Sequence, residues 1–218
     1  IWLQKTGEPL ENAARLYISE EKGVATEADA IAGAQDIIAE SISDNADYRT
    51  WIRRTTIKKG KVVSAAKDPD AESVYEMYYD FEEPVSKLAG HRILALNRGE
   101  KEKILTVKVE APEEEIIAWL EKKTLRENNP FTSPVIKEAV KDSYHRLIAP
   151  AIEREIRNDL TEKAEDGAIQ VFGKNLHQLL MQPPVAGRVV LGWDPAFRTG
   201  CKLAVVDPTG KVIGTTVI

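Results

Sequence analysis

The chain has 218 residues, 43% of them hydrophobic and 30% charged, with a formal net charge of -5 and a pI near 5.4. That balance is one of a folded protein of one sizeable domain or two small ones, and it excludes a chain that coats nucleic acid through bulk positive charge. A single cysteine, Cys201, excludes an internal disulfide, and no apolar run approaches the roughly 20 residues of a membrane helix. The N-terminal segment lacks the charged start and apolar core of a signal peptide, and it lacks an initiator Met. A reducing, cytoplasmic location is expected, with the sequence a piece of a longer protein.

Pro9 suits a first helical position, and Leu10, Ala13, Ala14, Tyr17 and Ile18 recur at helical spacing before Gly23, which predicts a first helix. Thr26 and Asp29 resemble a capping box that opens a second helix, with Ile31, Ala34, Ile37, Ile38 and Ile42 along one stripe. A further turn or two of helix covers "ADYRTWIRR". β-branched residues on both sides of Lys58, Lys59, Gly60 and Lys61 then predict a β hairpin near residues 55–67. Its lysines read either as a solvated turn or as phosphate contacts. Tyr75, Tyr78, Tyr79 and Phe81 crowd the next stretch, where they can pack a core or stack on bases.

A short helix, a strand near 103–109 and a helix from Pro112 follow, with Glu113, Glu114 and Glu115 suited to the positive end of the helix dipole. Ser133 and Pro134 read as an N-cap and first position of a long helical segment. Ile136, Val140, Tyr144, Ile148, Ile152 and Ile156 lie on its apolar stripe. Asp142 with Arg146, Glu153 with Arg157, and Asp159 with Lys163 are acid-first i,i+4 pairs. Pro150 is expected to kink or split the segment, and a final helix is expected to stop at Pro183 and Pro184. Three strands close the chain: "VVLGW", apolar on both faces as a central strand is, then "CKLAVV", a type I turn at "DPTG", and "KVIGTTVI". Strands without covering helices leave apolar faces open, so the sheet is expected to continue after Ile218. The fold class is therefore mainly α with small β hairpins and a long kinked central helix, in three stretches, 1–132, 133–184 and 185–218.

Several segments together resemble the bacterial Tex family of transcription accessory proteins. They are "EKGV" with "AGAQDIIAE", "YYDFEEP", "HRILALNRGEKE", "SPVIKEAVKDSYHRLIAPAIEREIR", "NLHQLLMQPP" and "GWDPAFRTGCKLAVVDPTGKV". The resemblance covers nearly the whole chain. It implies a helical N-terminal region with helix-turn-helix-like elements, then a YqgF domain of RNase H-like α/β fold of which residues 185–218 are the first strands. Helix-hairpin-helix elements and an OB-fold RNA-binding domain would lie beyond. The whole protein is then expected to bind RNA or DNA and engage the transcription machinery, with this segment mainly a scaffold. The family usually has Gly where this chain has Ala196, a costly exchange if the backbone there needs positive φ.

An RNase H-like nuclease holds two divalent ions with several carboxylates from separate elements. Asp194 stands where the first-strand acid of such a set would be, while Asp207 falls in a tight turn and is expected to accept backbone N–H bonds. With one carboxylate the site is incomplete, so Asp194 reads as vestigial, and the chain as neither an enzyme nor a cofactor or metal binder. A resolvase-type nuclease and a purely protein-binding scaffold are the competing readings. A kinase-like phosphate loop fits poorly, because Phe197 and Arg198 would crowd it. Arg198 and Lys202, with Lys58, Lys59 and Lys61, are the candidate contacts to a nucleic-acid backbone. His91, His145 and His177 are read as caps or packing residues, and Cys201 as a small buried side chain.

Overall fold

The capping box at Thr26 is formed. Thr26 Oγ1 accepts the Asp29 amide at 3.2 Å, and the Asp29 carboxylate accepts the Thr26 amide at 2.9 Å. It opens α2, Glu27–Ser43, in the computed structural model of the chain, which describes every residue except Pro184 and Phe197. The chain divides into two units, Ile1–Ala168 and Ile169–Ile218.

In the first unit, the expected N-terminal helix is reduced to α1, Leu10–Ala14, followed by 3-10 turns at Arg15–Tyr17 and Glu20–Lys22. Pro9 supplies no side-chain cap, and Leu16 and Tyr17 are exposed, so little apolar burial holds a longer helix together. The larger correction concerns the hairpin near 55–67. Residues 55–59 are instead the end of α3, Ala46–Lys59, and only the following stretch is a strand, β1, Lys61–Ala66. Asn45 caps α3 by accepting the Asp47 and Tyr48 amides. Ile52 and Thr56 are buried on its inner face, and Lys58 and Lys59 suit its negative C-terminal end. Packing of that face overrides the β preference of the threonines. Gly60 makes the turn into β1, where a Cβ would lie 2.5 Å from the Thr56 carbonyl oxygen and 2.8 Å from that of Glu110.

β1 is the middle strand of an antiparallel sheet, flanked by β2, Asp80–Pro84, and β3, Leu105–Glu110. Between β2 and β3 lies α4, Gly90–Lys101, and after β3 comes α5, Glu113–Thr124. The aromatic stretch packs rather than projects. Tyr75 and Tyr78 are buried, and Tyr78 meets Phe81 edge-to-face at 5.4 Å. Trp51 of α3 and Trp119 of α5 stack at 4.0 Å with Tyr48 edge-on, a cluster that no local pattern in the sequence announces.

The long segment begins as α6, Ser133–Asp142, one residue before the expected start, with Thr132 in the cap position. It widens into a single π turn, Ser143–Ile148, and continues as α7, Ala149–Leu180. Pro150 lies in the first turn of α7, where its missing N–H would interrupt a regular ladder, so the widened turn stands directly before it. No separate final helix forms, because α7 runs through Gly167 and ends at Leu180; Pro184 of the expected stop lies outside the described residues. Ile136, Val140, Ile148, Ile152 and Ile156 join Ile42, Ile52, Leu96, Ile116 and Leu120 in one core. Each fully enclosed Leu or Ile contributes about 1.5–3 kcal/mol.

Only one of the three expected helical ion pairs is local: the Arg146 guanidinium donates to Asp142 at 2.6 Å. Arg157 instead pairs with Glu100 of α4, Glu153 accepts the Val109 amide at 2.9 Å, and Asp159 pairs with Arg53 of α3. The Arg157 hydrogen bond holds the Glu100 carboxyl below its ordinary range. The N-terminus is tied in by Gln4, which is 1% exposed. Its Nε2 donates to the Thr124 carbonyl at 2.8 Å, and its Oε1 accepts the Arg126 amide at 2.9 Å.

The second unit holds the end of α7 and three strands, β4, Val190–Asp194, β5, Lys202–Val206, and β6, Val212–Val217. They form an antiparallel sheet in the order β4-β5-β6. Among the described strands β5 is therefore the central one, and the doubly apolar "VVLGW" lies at an edge.

Candidate functional site

The loop between β4 and β5 was singled out by its acid, so its geometry bears on every functional reading. Asp194 ends β4 directly opposite Lys202, the first residue of β5, and in an antiparallel pair such partners share a face. Both are exposed, as is Arg198 in the loop between them. Asp194 and Lys202 border an open concavity of about 640 Å³ that is also lined by Trp193, Thr215 and Thr216. The loop returns through Gly200, whose φ of +81° lets Cys201 exchange two backbone hydrogen bonds with Ile218. Glycine is needed there for room as well, since a Cβ would lie 2.7 Å from the Ile218 carbonyl oxygen. Among the described residues the non-glycine positions with positive φ are Gln4 and Lys103, so Ala196 is not one of the strained positions. Phe197, expected to crowd a phosphate in this loop, lies outside the described residues.

The residues around Asp194 do not fit the two-metal chemistry that the RNase H-like resemblance brings to mind. Among the described residues no three His, Cys, Asp or Glu side chains converge as a metal donor set. Asp207, the other acid of this unit, is engaged in its turn. Its carboxylate accepts the Thr209 hydroxyl at 2.6 Å and the Thr209 and Lys211 amides at 2.8 and 3.0 Å. These bonds, the Thr209 hydroxyl foremost, hold its carboxyl below the ordinary range. Asp194, Lys202 and Arg198 amount to one carboxylate beside two cations on an exposed edge. That set can attract a phosphate, and among the described residues Asp194 belongs to no group of three or more metal-donor side chains.

The second candidate group, Lys58, Lys59 and Lys61, is divided by the turn at Gly60. Lys59 donates to both carboxylate oxygens of Glu115, at 2.6 and 2.7 Å, joining the end of α3 to the start of α5. Lys61 pairs across the sheet with Glu82, which holds its ammonium above the ordinary value. Lys58 is exposed and has no ion pair among the described residues. One free lysine remains of an expected basic turn. The carboxylates that take the other two lie 21 and 56 residues away, beyond the reach of any local pattern. The histidines are exposed rather than packed: His91 and His177 project outward, and His145 Nε2 lies 3.5 Å from Glu113. Cys201 is half-buried.

Comparison with known proteins bears on both units. A family model described as Tex central region-like matches residues 4–172, and one described as Tex protein YqgF-like domain matches residues 188–218. The chain is 55% identical over 205 residues to the Bacillus subtilis "Uncharacterized protein YdcI", covering 93% of this chain and 28% of that protein. It is 34% identical over 211 residues to the human "S1 RNA-binding domain-containing protein 1", covering 90% of this chain and 21% of that protein. It is 28% identical over 232 residues to the Neisseria gonorrhoeae "Transcriptional accessory protein Tex", covering 100% of this chain and 30% of that protein. The chain thus spans 21 to 30% of the length of these relatives.

Proposed function

The chain belongs to the Tex family, and from that premise we propose that it is the structural centre of a cytoplasmic, nucleic-acid-binding transcription accessory protein. In this reading the first unit is a scaffold that sets the geometry of the whole protein, its helical elements including those of helix-turn-helix type. RNA or DNA is bound through the full-length protein, and the transcription machinery is its partner. The observation that carries the scaffold role is the fate of the charged side chains. Lys59, Lys61, Arg53 and Arg157 are spent on carboxylates from other elements, joining helices and strands instead of facing a ligand. A surface that neutralises phosphates needs the opposite, cations that are unpaired and grouped on one face.

The test is fluorescence anisotropy of this 218-residue chain with labelled single-stranded RNA and DNA at physiological salt. The expected result is affinity no better than the about 10⁻⁴–10⁻⁶ M of non-specific binding. A tight complex with a steep salt dependence would move the binding role onto Lys58, Arg198 and Lys202.

We propose in addition that the protein is not an enzyme and that Asp194 is a vestige of the strand-end acid. The intact protein, incubated with Mg²⁺ or Mn²⁺ and branched or single-stranded substrates, is expected to leave them uncut. Cleavage that vanishes in Asp194→Asn overturns this reading in favour of a resolvase-type nuclease.

A further inference from the structure

One cavity within the first unit combines features that the scaffold role does not use. It has a volume of about 350 Å³ and lies between α3, the end of β3, the start of α5 and the π turn. Ile52, Val109 and Ile152 give it apolar walls, while Glu110, Glu113 and Glu153 give it an acidic rim.

Two hydroxyls in its wall lack partners. Tyr144 is 3% exposed, and among the described residues no hydrogen bond engages its phenol oxygen. Thr56 is 2% exposed, and its Oγ1 is likewise unpaired. Buried hydroxyls are ordinarily satisfied, so the enclosed, unpaired Thr56 oxygen is an exception, while the Tyr144 oxygen is not enclosed in the same way and is open to a ligand or water. Burial, and secondarily Glu113, pushes the Tyr144 phenol up to about 12, so it stays a neutral hydroxyl able to donate or accept. The π turn brings Tyr144 and His145 to the cavity, and an inserted residue of this kind is frequent at functional sites.

The charges select the ligand. Among the described residues Glu113 is paired with His145 alone, Glu153 accepts the Val109 amide, and Glu110 lies opposite Lys61 in the sheet. The rim therefore carries an excess of negative charge. A compact divalent ion fits poorly, because these acids do not converge as a donor set and the walls between them are apolar. An aliphatic stem with a cationic end meets both halves of the cavity at once.

We propose that this cavity binds an alkylammonium or guanidinium group, the chemistry of a lysine- or arginine-like side chain. The stem lies along Ile52 and Ile152, and the cationic head is directed to Glu113 and the hydroxyl of Tyr144.

The experiment is a methyl-NMR titration of the chain labelled at isoleucine, following the Ile52 and Ile152 signals. The probes are N-acetyl-lysine N-methylamide and cadaverine, with neutral N-acetyl-norleucine N-methylamide as the control. The expected result is saturable shifts with both cations, at a dissociation constant on the order of 1 mM, and none with the neutral control. Glu113→Gln and Tyr144→Phe are each expected to weaken binding about tenfold, the loss of one charge-assisted contact. Glu113 is exposed, so its variant folds even if the tyrosine variant does not. Tighter binding of the lysine amide than of cadaverine upholds the proposal with a protein segment as the source; the reverse upholds it with a free diamine. Absence of saturable shifts, equal shifts with norleucine, or unweakened binding by Glu113→Gln overturns it.

Discussion

Ile148 in the first unit has no exposed surface, whereas Ile213 and Trp193 in the second stand 61% and 65% exposed. Composition does not separate the two regions; layering does. The sheet of β1, β2 and β3 contributes Val62, Leu105 and Val107 to a core that also takes in isoleucines and leucines of six helices, α2 to α7. The sheet of β4, β5 and β6 leaves Leu191, Val212 and Ile213 open. A sheet acquires an inside only when another layer covers it. The same contrast governs the ions: Arg53 and Arg157 are bound across elements, while Arg198 and Lys202 are exposed with no ion pair among the described residues. An aromatic or basic residue therefore has no fixed meaning until its covering layer is known.

The sharpest break of this comparison is a pair of truncations followed by urea unfolding with far-UV circular dichroism. Ile148→Ala is expected to cost about 2–5 kcal/mol, the range for a fully enclosed side chain that leaves a cavity. Ile213→Ala is expected to stay within about 0.5 kcal/mol, as surface changes do. Equal losses would mean that the layering argument is wrong.

A second pair probes room rather than burial. Gly60→Ala places a methyl against two backbone oxygens and is expected to cost about 1–3 kcal/mol. Gly214→Ala meets nothing within 4 Å and has no positive φ, so no loss is expected in the same unfolding assay.

The smallest effect is electrostatic. Arg157 lowers the Glu100 carboxyl in the folded state, so the stabilisation is full above the ordinary value of 4.5 and is lost as pH falls through the lower folded value. Glu100→Gln is expected to flatten the acid side of the melting-temperature profile. Asp207→Asn, in the open unit, is expected to leave the helical melt unchanged at every pH. A parallel profile for Glu100→Gln and the parent would remove the pair from the account of stability.

What the sequence made legible was short in range. The Thr26 box, the Asp207 turn and the three short apolar strands from Val190 onward each depend on neighbouring residues, and each formed. Glu153 and Asp159 were assigned partners four residues on, but Val109 and Arg53 lay closer in space. The hairpin near 55–67 failed for a related reason: threonine and isoleucine prefer strands, yet Ile52 and Thr56 gained more by burying one helical face. At the candidate site, the position of Asp194 at a strand end was readable, and so was the tight turn that occupies Asp207. The capture of Lys59 and Lys61 was not, since Glu115 and Glu82 become neighbours only after the elements pack. Gln4 carried no local signal at all.

That glutamine also has a consequence for synthesis. Its bonds to Thr124 and Arg126, and the Asn129 amide that donates to the Gln4 carbonyl, span 120 to 125 residues of chain. On a ribosome this clasp must wait, hydrated but without its protein partners, until the helix α5 and the loop after it have emerged. Gln4 thus leaves the exit tunnel well before the residues that hold it in place.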